Sequence, residues 1–193
     1  MENTPRLVLD DDAPTSETAF LPRFFRTLLE LLIAIGVALA VAGALRQGVV
    51  QPYFIPTPSM SPTIHPGDRV LVNKLQYEFA RPHRGDIVVF PDPAKDGQLL
   101  IKRIVAVGGD IIDARKGKLV VNGDPVPERY TKGRPTEPGP AEFPMMIPQG
   151  YVFLMGDNRT DSHDSRWFGP QPVSGLRGRA FALYWPLEHL SEF

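Results

Sequence analysis

The chain is predicted to be a mainly β domain carried on a single N-terminal transmembrane helix, and three features of the sequence lead there. Residues 28–50 are dominated by Leu, Ile, Ala, Val and Gly, with no charge between Leu31 and Leu45. Beyond them, short β-branched runs recur, most of them entered from a glycine-containing turn, as in all-β domains. Glycine (17) and proline (21) are abundant for a helical protein and fall between those runs as punctuation. After a tail and an apolar segment, 193 residues leave room for one globular domain, at about 100–200 residues per domain.

Taken in order, residues 1–22 carry the cluster Asp10-Asp11-Asp12, scattered Thr, Ser and Pro, and few large apolar side chains. That composition predicts a disordered tail. Residues 23–50 are the expected anchor. A spanning helix needs about 20 apolar residues, and the stretch reaches that length if Glu30 and Arg46 sit at the two interfaces. The small residues Ala42-Gly43-Ala44 leave a cleaved secretory signal open as an alternative, but Glu30 and the long preceding tail are unusual in a signal n-region. Arg23 and Arg26 precede the segment and only Arg46 follows closely, so the positive-inside rule puts the N-terminus in the cytoplasm. Residues 51–193 then form an extracytoplasmic domain, with membrane lipid as the anchor's partner.

Within that domain, Gly67-Asp68 leads into a strand at 69–72 and Gly85-Asp86 into one at 87–90. A long strand is expected over 99–107. Gly108-Gly109-Asp110 turns the chain into 111–114, and Lys116-Gly117 joins that strand to 119–121 as a hairpin. Residues 124–150, rich in proline and polar side chains, read as a surface excursion. The sheet resumes at 151–155, passes through a polar loop at 156–169, and ends with 180–185.

Composition excludes several function classes. With 21 basic and 22 acidic residues the net charge is −1, which lacks the basic field that nucleic-acid binding requires. Nucleic acid is therefore not an expected partner. Cysteine is absent, which removes disulfides, thiolate metal sites and cysteine nucleophiles. No HExxH helix or paired ligand spacing is present, so neither a metal nor a cofactor is expected.

Ser59 follows Pro56-Thr57-Pro58, whose prolines favour an extended backbone ahead of the hydroxyl. A serine needs a neighbouring base to become a nucleophile, and an isolated loop serine is otherwise ordinary turn chemistry. Lys102 lies inside the apolar run Leu99-Leu100-Ile101-Lys102-Arg103-Ile104-Val105. If buried, its ammonium is disfavoured and the neutral amine becomes a base. If the strand alternates, Lys102 points to water while Leu100 and Ile104 point inward. The segment Gly156-Asp157-Asn158-Arg159-Thr160-Asp161-Ser162-His163-Asp164-Ser165-Arg166 is too densely polar for a tight turn. In it Asp157 and Asp164 can pair with Arg159 or Arg166, and Ser162 offers an uncharged hydroxyl. A Ser-His-Asp hydrolase using His65, His83, His163 or His189 is a rival, as is a tethered β-domain that only binds peptides.

In this order the motifs resemble the bacterial type I signal peptidases, the membrane-anchored serine-lysine leader peptidases. The resemblance is carried by Gln51-Pro52-Tyr53-Phe54-Ile55-Pro56-Thr57-Pro58-Ser59-Met60-Ser61-Pro62-Thr63, by Arg84-Gly85-Asp86-Ile87-Val88-Val89-Phe90, by Ile101-Lys102-Arg103-Ile104-Val105-Ala106-Val107-Gly108-Gly109-Asp110, and by the 156–166 loop. It implies a signal-peptidase-like β-sheet or barrel domain in the bacterial inner membrane, acting on secretory preproteins. It makes Ser59 the nucleophile, Lys102 the general base, Thr57 and the Ser59 N–H the oxyanion donors, and Ser162 the hydroxyl that orients the lysine. Asp164 and Arg166 would support the loop. Ile55, Pro56, Met60, Ile64 and Ile101 would line shallow pockets that select small residues at substrate positions −1 and −3. The chain departs from the family's usual pattern at Thr57-Pro58 and at Leu100, where an aromatic residue is common, and it shows one anchor helix where some members have two.

Overall fold

A computed structural model describes residues 20–46 and 48–193, which divide into two compact units, Met1–Gln47 and Gly48–Phe193. Most of the expected tail, residues 1–19, lies outside the described residues. The first unit is one helix, α1 (Phe20–Arg46), so the helix begins inside the segment read as tail. Its Phe25–Gly43 portion has a mean hydropathy of 2.1, long and apolar enough to cross a membrane. Leu29, Leu32, Ile33 and Leu39 are exposed along it. Arg26 donates to Glu30 one turn on (3.0 Å), an i,i+4 pair that offsets the one acidic charge in this span.

The second unit is mainly β. Strands β1 (Val50–Phe54), β2 (Arg69–Asn73), β3 (Ile87–Pro91), β4 (Leu99–Val107), β9 (Tyr151–Met155), β10 (Gln171–Pro172), β11 (Gly178–Trp185) and β12 (Ser191–Glu192) build the larger sheet. Its order is β1-β2-β11-β3-β4-β9-β10, with β12 also on β11. The smaller sheet comprises β5 (Ile111–Arg115), β6 (Lys118–Val121), β7 (Asp124–Pro125) and β8 (Met145–Met146), in the order β7-β6-β5-β8. All the pairings in both sheets are antiparallel.

Strands foreseen from β-branched runs form where expected, and two details show the local causes. In the β5–β6 hairpin, Arg115 pairs with Lys118 across Lys116 and Gly117, both at positive φ (51° and 72°). That is the turn whose twist matches paired strands, and glycine supplies half of it without steric cost. Strand β1 went unforeseen because Pro52 reads as a loop residue; it is tolerated since β1 is an edge, where a missing N–H costs no ladder bond. Val50, assigned by sequence to the anchor, pairs here with Asn73.

Strand β4 lies inside the larger sheet, between β3 and β9. Ile101, Ile104, Val105 and Ala106 along it are buried, and they join separate clusters with Ile55, Met60 and Val89, with Val88, Phe90 and Leu154, and with Ile112, Leu119 and Phe153. Each isoleucine or valine among them contributes about 1.5–3 kcal/mol relative to exposure. The neighbours of Lys102 therefore offset the cost of burying an amine among them.

Residues 124–150 are not simply a surface excursion. Thr131, Thr136 and Ile147 are buried, and the segment contributes β8 to the small sheet. Polar residues and prolines there signalled exposure; instead, several of its side chains partner charges that would otherwise be buried alone.

Candidate active site

Ser59 sits in a single 3-10 turn, Pro58–Met60. Thr57 before it is extended (φ −118°, ψ 152°), the conformation a following proline imposes. Ser61 N–H closes the turn on the Pro58 carbonyl (2.9 Å). Three further donors hold its main chain: Asn158 N–H to the Ser59 carbonyl (3.1 Å), Asn158 Nδ2 to the Pro58 carbonyl (3.2 Å) and Arg134 Nη1 to the Ser61 carbonyl (2.8 Å). The carbonyl groups are thus occupied while the side chain faces the lysine.

Lys102 is 2% exposed, which decides between the two sequence readings in favour of burial. It stands opposite Val88 of β3, and its Nζ donates to Ser59 Oγ at 2.6 Å. Burial disfavours the ammonium and brings the pKa down to about 8, against an opposing pull from the charges of Asp164, Asp92 and Asp157. A substantial neutral fraction therefore exists in mildly alkaline solution. Thr57 Oγ1 lies 3.4 Å from Ser59 Oγ. Among the described residues, these two side chains are the hydrogen-bond partners of the Ser59 hydroxyl.

The polar loop is held by arginine–carboxylate pairs, though not all of those expected. Arg166 donates to both oxygens of Asp164 (2.8 and 2.9 Å), and Asp164 also accepts from Gly156 N–H (3.0 Å) and caps α3 (Ser165–Phe168). Burial pushes the Asp164 carboxyl up, but the Arg166 bonds and charge outweigh it and hold its pKa below the ordinary value. Asp157 pairs not with a loop arginine but with Arg103, through bonds of 2.8 and 2.7 Å, and it accepts from Thr63 Oγ1 at 2.5 Å. Arg159 donates through Nε to the Gly156 carbonyl (3.0 Å), while its other nitrogens bind Glu128 and Thr136. The Arg103 guanidinium also lies 4.2 Å from the centroid of the Tyr130 ring.

Ser162 Oγ is buried and makes no hydrogen bond to Lys102; its hydroxyl lies close enough to the Asp164 carboxyl to help lower that group's pKa. Ser162 packs beside Gly156, where an added Cβ would collide with both the Ser162 side chain and the Ser59 carbonyl. That close approach explains the glycine at the loop's entrance. Of the expected pocket residues, Ile55, Pro56 and Ile101 line a hollow of about 80 Å³ together with Thr57, Val89 and Leu99. Met60 and Ile64 do not line it; both are fully buried in the cluster that contains Ile55 and Ile101. Larger hollows of about 600 and 560 Å³ border the small sheet, and neither is lined by Ser59 or Lys102.

None of the histidines meets Ser59. His163 is stacked on Trp167 (5.7 Å between centroids), and His189 bonds Asp68. Sequence reasoning missed Glu128, Tyr130, Arg134 and Asn158 as parts of the site's frame, and it missed Arg103 as the partner of Asp157. A buried-charge argument would have found Arg103, since it follows Lys102 within an apolar strand. No local signal marks Glu128.

A serine hydroxyl in a turn, bonded to the buried amine of a lysine on an interior strand of a mainly β domain, belongs among the serine hydrolases. The chain belongs to the family described as "Signal peptidase, peptidase S26", which matches residues 28–185. That membership makes it a serine peptidase of the signal peptidase I type. It is 33% identical over 197 residues to a signal peptidase I of Leptolyngbya laminosa, covering 95% of each chain. A probable signal peptidase I of Synechocystis is 37% identical over 85% of this chain and 84% of its own. The thylakoidal processing peptidase 1 of Arabidopsis thaliana is 39% identical over 80% of this chain, which spans 48% of that plant protein.

Removing Glu128 leaves the Arg159 guanidinium, itself fully buried, without its counter-charge. Breaking a buried pair from one side costs about 3–5 kcal/mol. Glu128→Ala is expected to lower the melting temperature of the purified protein by roughly 10 °C, at about 2–4 °C per kcal/mol for a domain of this size. Glu128→Gln, which keeps hydrogen-bond acceptance, should fall between it and wild type; equal melting of all three proteins contradicts the assignment.

Proposed function

We propose that this enzyme removes N-terminal signal peptides from secreted preproteins with a serine-lysine dyad, Ser59 as nucleophile and Lys102 as general base. The observation that carries this reading is the 2.6 Å contact between the buried amine and the serine hydroxyl. Neutral Lys102 takes the proton of Ser59 as Oγ attacks the scissile carbonyl carbon. The resulting oxyanion is met by the Ser59 N–H and the Thr57 hydroxyl, donors of the kind that favour charge developing in the transition state. The lysine ammonium then passes its proton to the departing amine, leaving an acyl ester on Ser59. A water, deprotonated by the same amine, attacks the ester carbonyl and releases the new C-terminus and the free serine.

Asp164 and Arg166 act at a distance by holding the loop that carries Ser162, whose hydroxyl is assigned to orient the amine. The substrate lies extended, its main chain bonded as an added strand and alternate side chains read by the hollow at Ile55, Pro56 and Ile101. At about 80 Å³ that hollow is far below the 300–1,000 Å³ of ordinary ligand pockets, which supports selection of small residues of the Ala-x-Ala type. Met60 and Ile64 contribute from beneath, by fixing the positions of Ile55 and Ile101. The helix α1 would be a single span in the bacterial cytoplasmic membrane, with lipid around it, residues 1–22 in the cytoplasm and the catalytic domain outside.

Ser59→Ala and Lys102→Ala are expected to reduce cleavage of a purified preprotein to background while leaving a folded, membrane-bound protein. Lys102→Arg fails as well, since a guanidinium does not lose its proton in this range. Lys102→Met is inactive but more stable. The amine's pKa falls from 10.5 to about 8 on folding, a penalty on the order of 3 kcal/mol below pH 8. That penalty fades between pH 8 and 10.5, where the unfolded chain binds the extra proton, so the Lys102→Met advantage in melting temperature shrinks as pH rises through that window. Clear activity in either alanine variant would sink the dyad.

In the free enzyme, kcat/KM should rise with pH through about 8, because the charged amine cannot accept the serine proton. The same rise is expected in His65→Ala, His83→Ala, His163→Ala and His189→Ala. A profile that instead turns on near 6.5 and disappears in one histidine variant points to an imidazole base.

Protease added to intact spheroplasts should digest the domain after residue 50. Protection until lysis would reverse the orientation.

A further inference from the structure

Outside the catalytic groups, one cluster brings together ligand types that sequence spacing did not reveal. His65 and Asp68 lie between the Ser59 turn and β2, and His189 lies in a short C-terminal turn, Leu187–His189. We propose that these three side chains form a binding site for a late first-row divalent cation of the zinc kind.

One ligand atom from each of the three residues lies within 4.8 Å of the others. His189 Nδ1 is 2.9 Å from Asp68 Oδ1, and His65 Nδ1 is 3.9 Å from Asp68 Oδ2. Ligands of a tetrahedral zinc, each about 2.0–2.1 Å from the metal, stand about 3.3 Å apart, so small side-chain rotations bring this set into register. The carboxylate is the fixed member: Asp68 is 1% exposed, and its Oδ2 accepts the His65 backbone N–H at 2.7 Å. The imidazoles are the adjustable members, with side chains 48% and 43% exposed and rings 5.3 Å apart. Their exposure gives an ion a route in and leaves a position for water. Two imidazoles and one carboxylate favour zinc, cobalt, nickel or copper over magnesium and calcium, which take oxygen ligands.

The site is separate from the dyad, since none of its residues bonds Ser59. It is nevertheless coupled to the groove through the main chain. Ile55 N–H donates to the Asp68 carbonyl (2.9 Å) and Gly67 N–H to the Ile55 carbonyl (2.8 Å). A bound ion would join the loop that holds Ile55 to the last turn of the chain, closing a long stretch of sequence with one cross-link.

The test uses the full-length protein in detergent, stripped with chelator and titrated with Co²⁺ for its visible absorption and with Zn²⁺ for thermal stabilisation. One equivalent per chain is expected, with Zn²⁺ displacing Co²⁺ and raising the melting temperature, while Mg²⁺ does neither. His65→Ala and His189→Ala should each weaken binding at least tenfold and abolish the thermal shift, and His83→Ala and His163→Ala should leave both unchanged. Repeating the titration in Ser59→Ala keeps the outcome independent of the catalytic reading, because binding there must match wild type. Asp68→Asn is not used, since a change at a buried carboxylate can unfold the loop. Absence of stoichiometric Co²⁺ or Zn²⁺ binding to wild type, or unchanged binding in either His65→Ala or His189→Ala, overturns the proposal.

Discussion

An amine removed from water beside a hydroxyl is the constraint on which the rest of this domain depends. Lys102 has to be buried for its proton to be loosely held, yet burial is what a lysine most resists. Strand β4, interior to the larger sheet, meets both demands. Its aliphatic neighbours exclude solvent, and the pairing with β3 and β9 fixes the direction in which the side chain leaves the backbone. Strand β4 also carries Arg103, one residue on, whose guanidinium satisfies Asp157 at the start of the polar loop. One strand therefore supplies both the uncompensated amine and a compensated cation.

The polar loop solves a second problem, which is holding a serine still without holding its hydroxyl. Asn158 donates to the carbonyls of Pro58 and Ser59, on either side of the Ser59 α-carbon, leaving the side chain to the lysine. The loop can do this only because its own charges are neutralised. Arg103 with Asp157, Arg159 with Glu128, and Arg166 with Asp164 place each guanidinium on a carboxylate in a poorly solvated setting. Buried pairs of this kind add little net stability over apolar packing, but they punish any departure from one geometry. Here they specify a shape rather than contribute bulk free energy.

Much of this was legible from residues alone, for identifiable reasons. Strand β4 was recognisable because an apolar run of its length has few other solutions, and the β5–β6 hairpin because Lys116-Gly117 is chemically suited to a tight turn. The burial of Lys102 was not legible, since alternation along a strand allows either face, and only what packs over that face, here the turn bearing Ser59, excludes the water. The role of Glu128 was equally hidden: a glutamate among prolines looks solvated until an arginine from a distant loop reaches it. Met60 and Ile64 show the opposite error. Being apolar and close to the serine in sequence, they looked like pocket lining, whereas the 3-10 turn sends Met60 inward and Ile64 joins it in the core.

The order of strands carries a consequence for how the domain folds. Strand β11, distant in sequence from both neighbours, lies between β2 and β3, with Ala180 meeting both Val72 and Ile87. Within the sheet β11 is what joins β1 and β2 to β3 and β4, while the polar loop ties the serine turn to β4 through Asn158 and the Asp157–Arg103 pair. Closure of such distant contacts is the slow part of folding. Ser59 and Lys102 stand 43 residues apart in sequence, so their meeting is a product of the tertiary fold, and no local piece of the chain assembles the pair by itself.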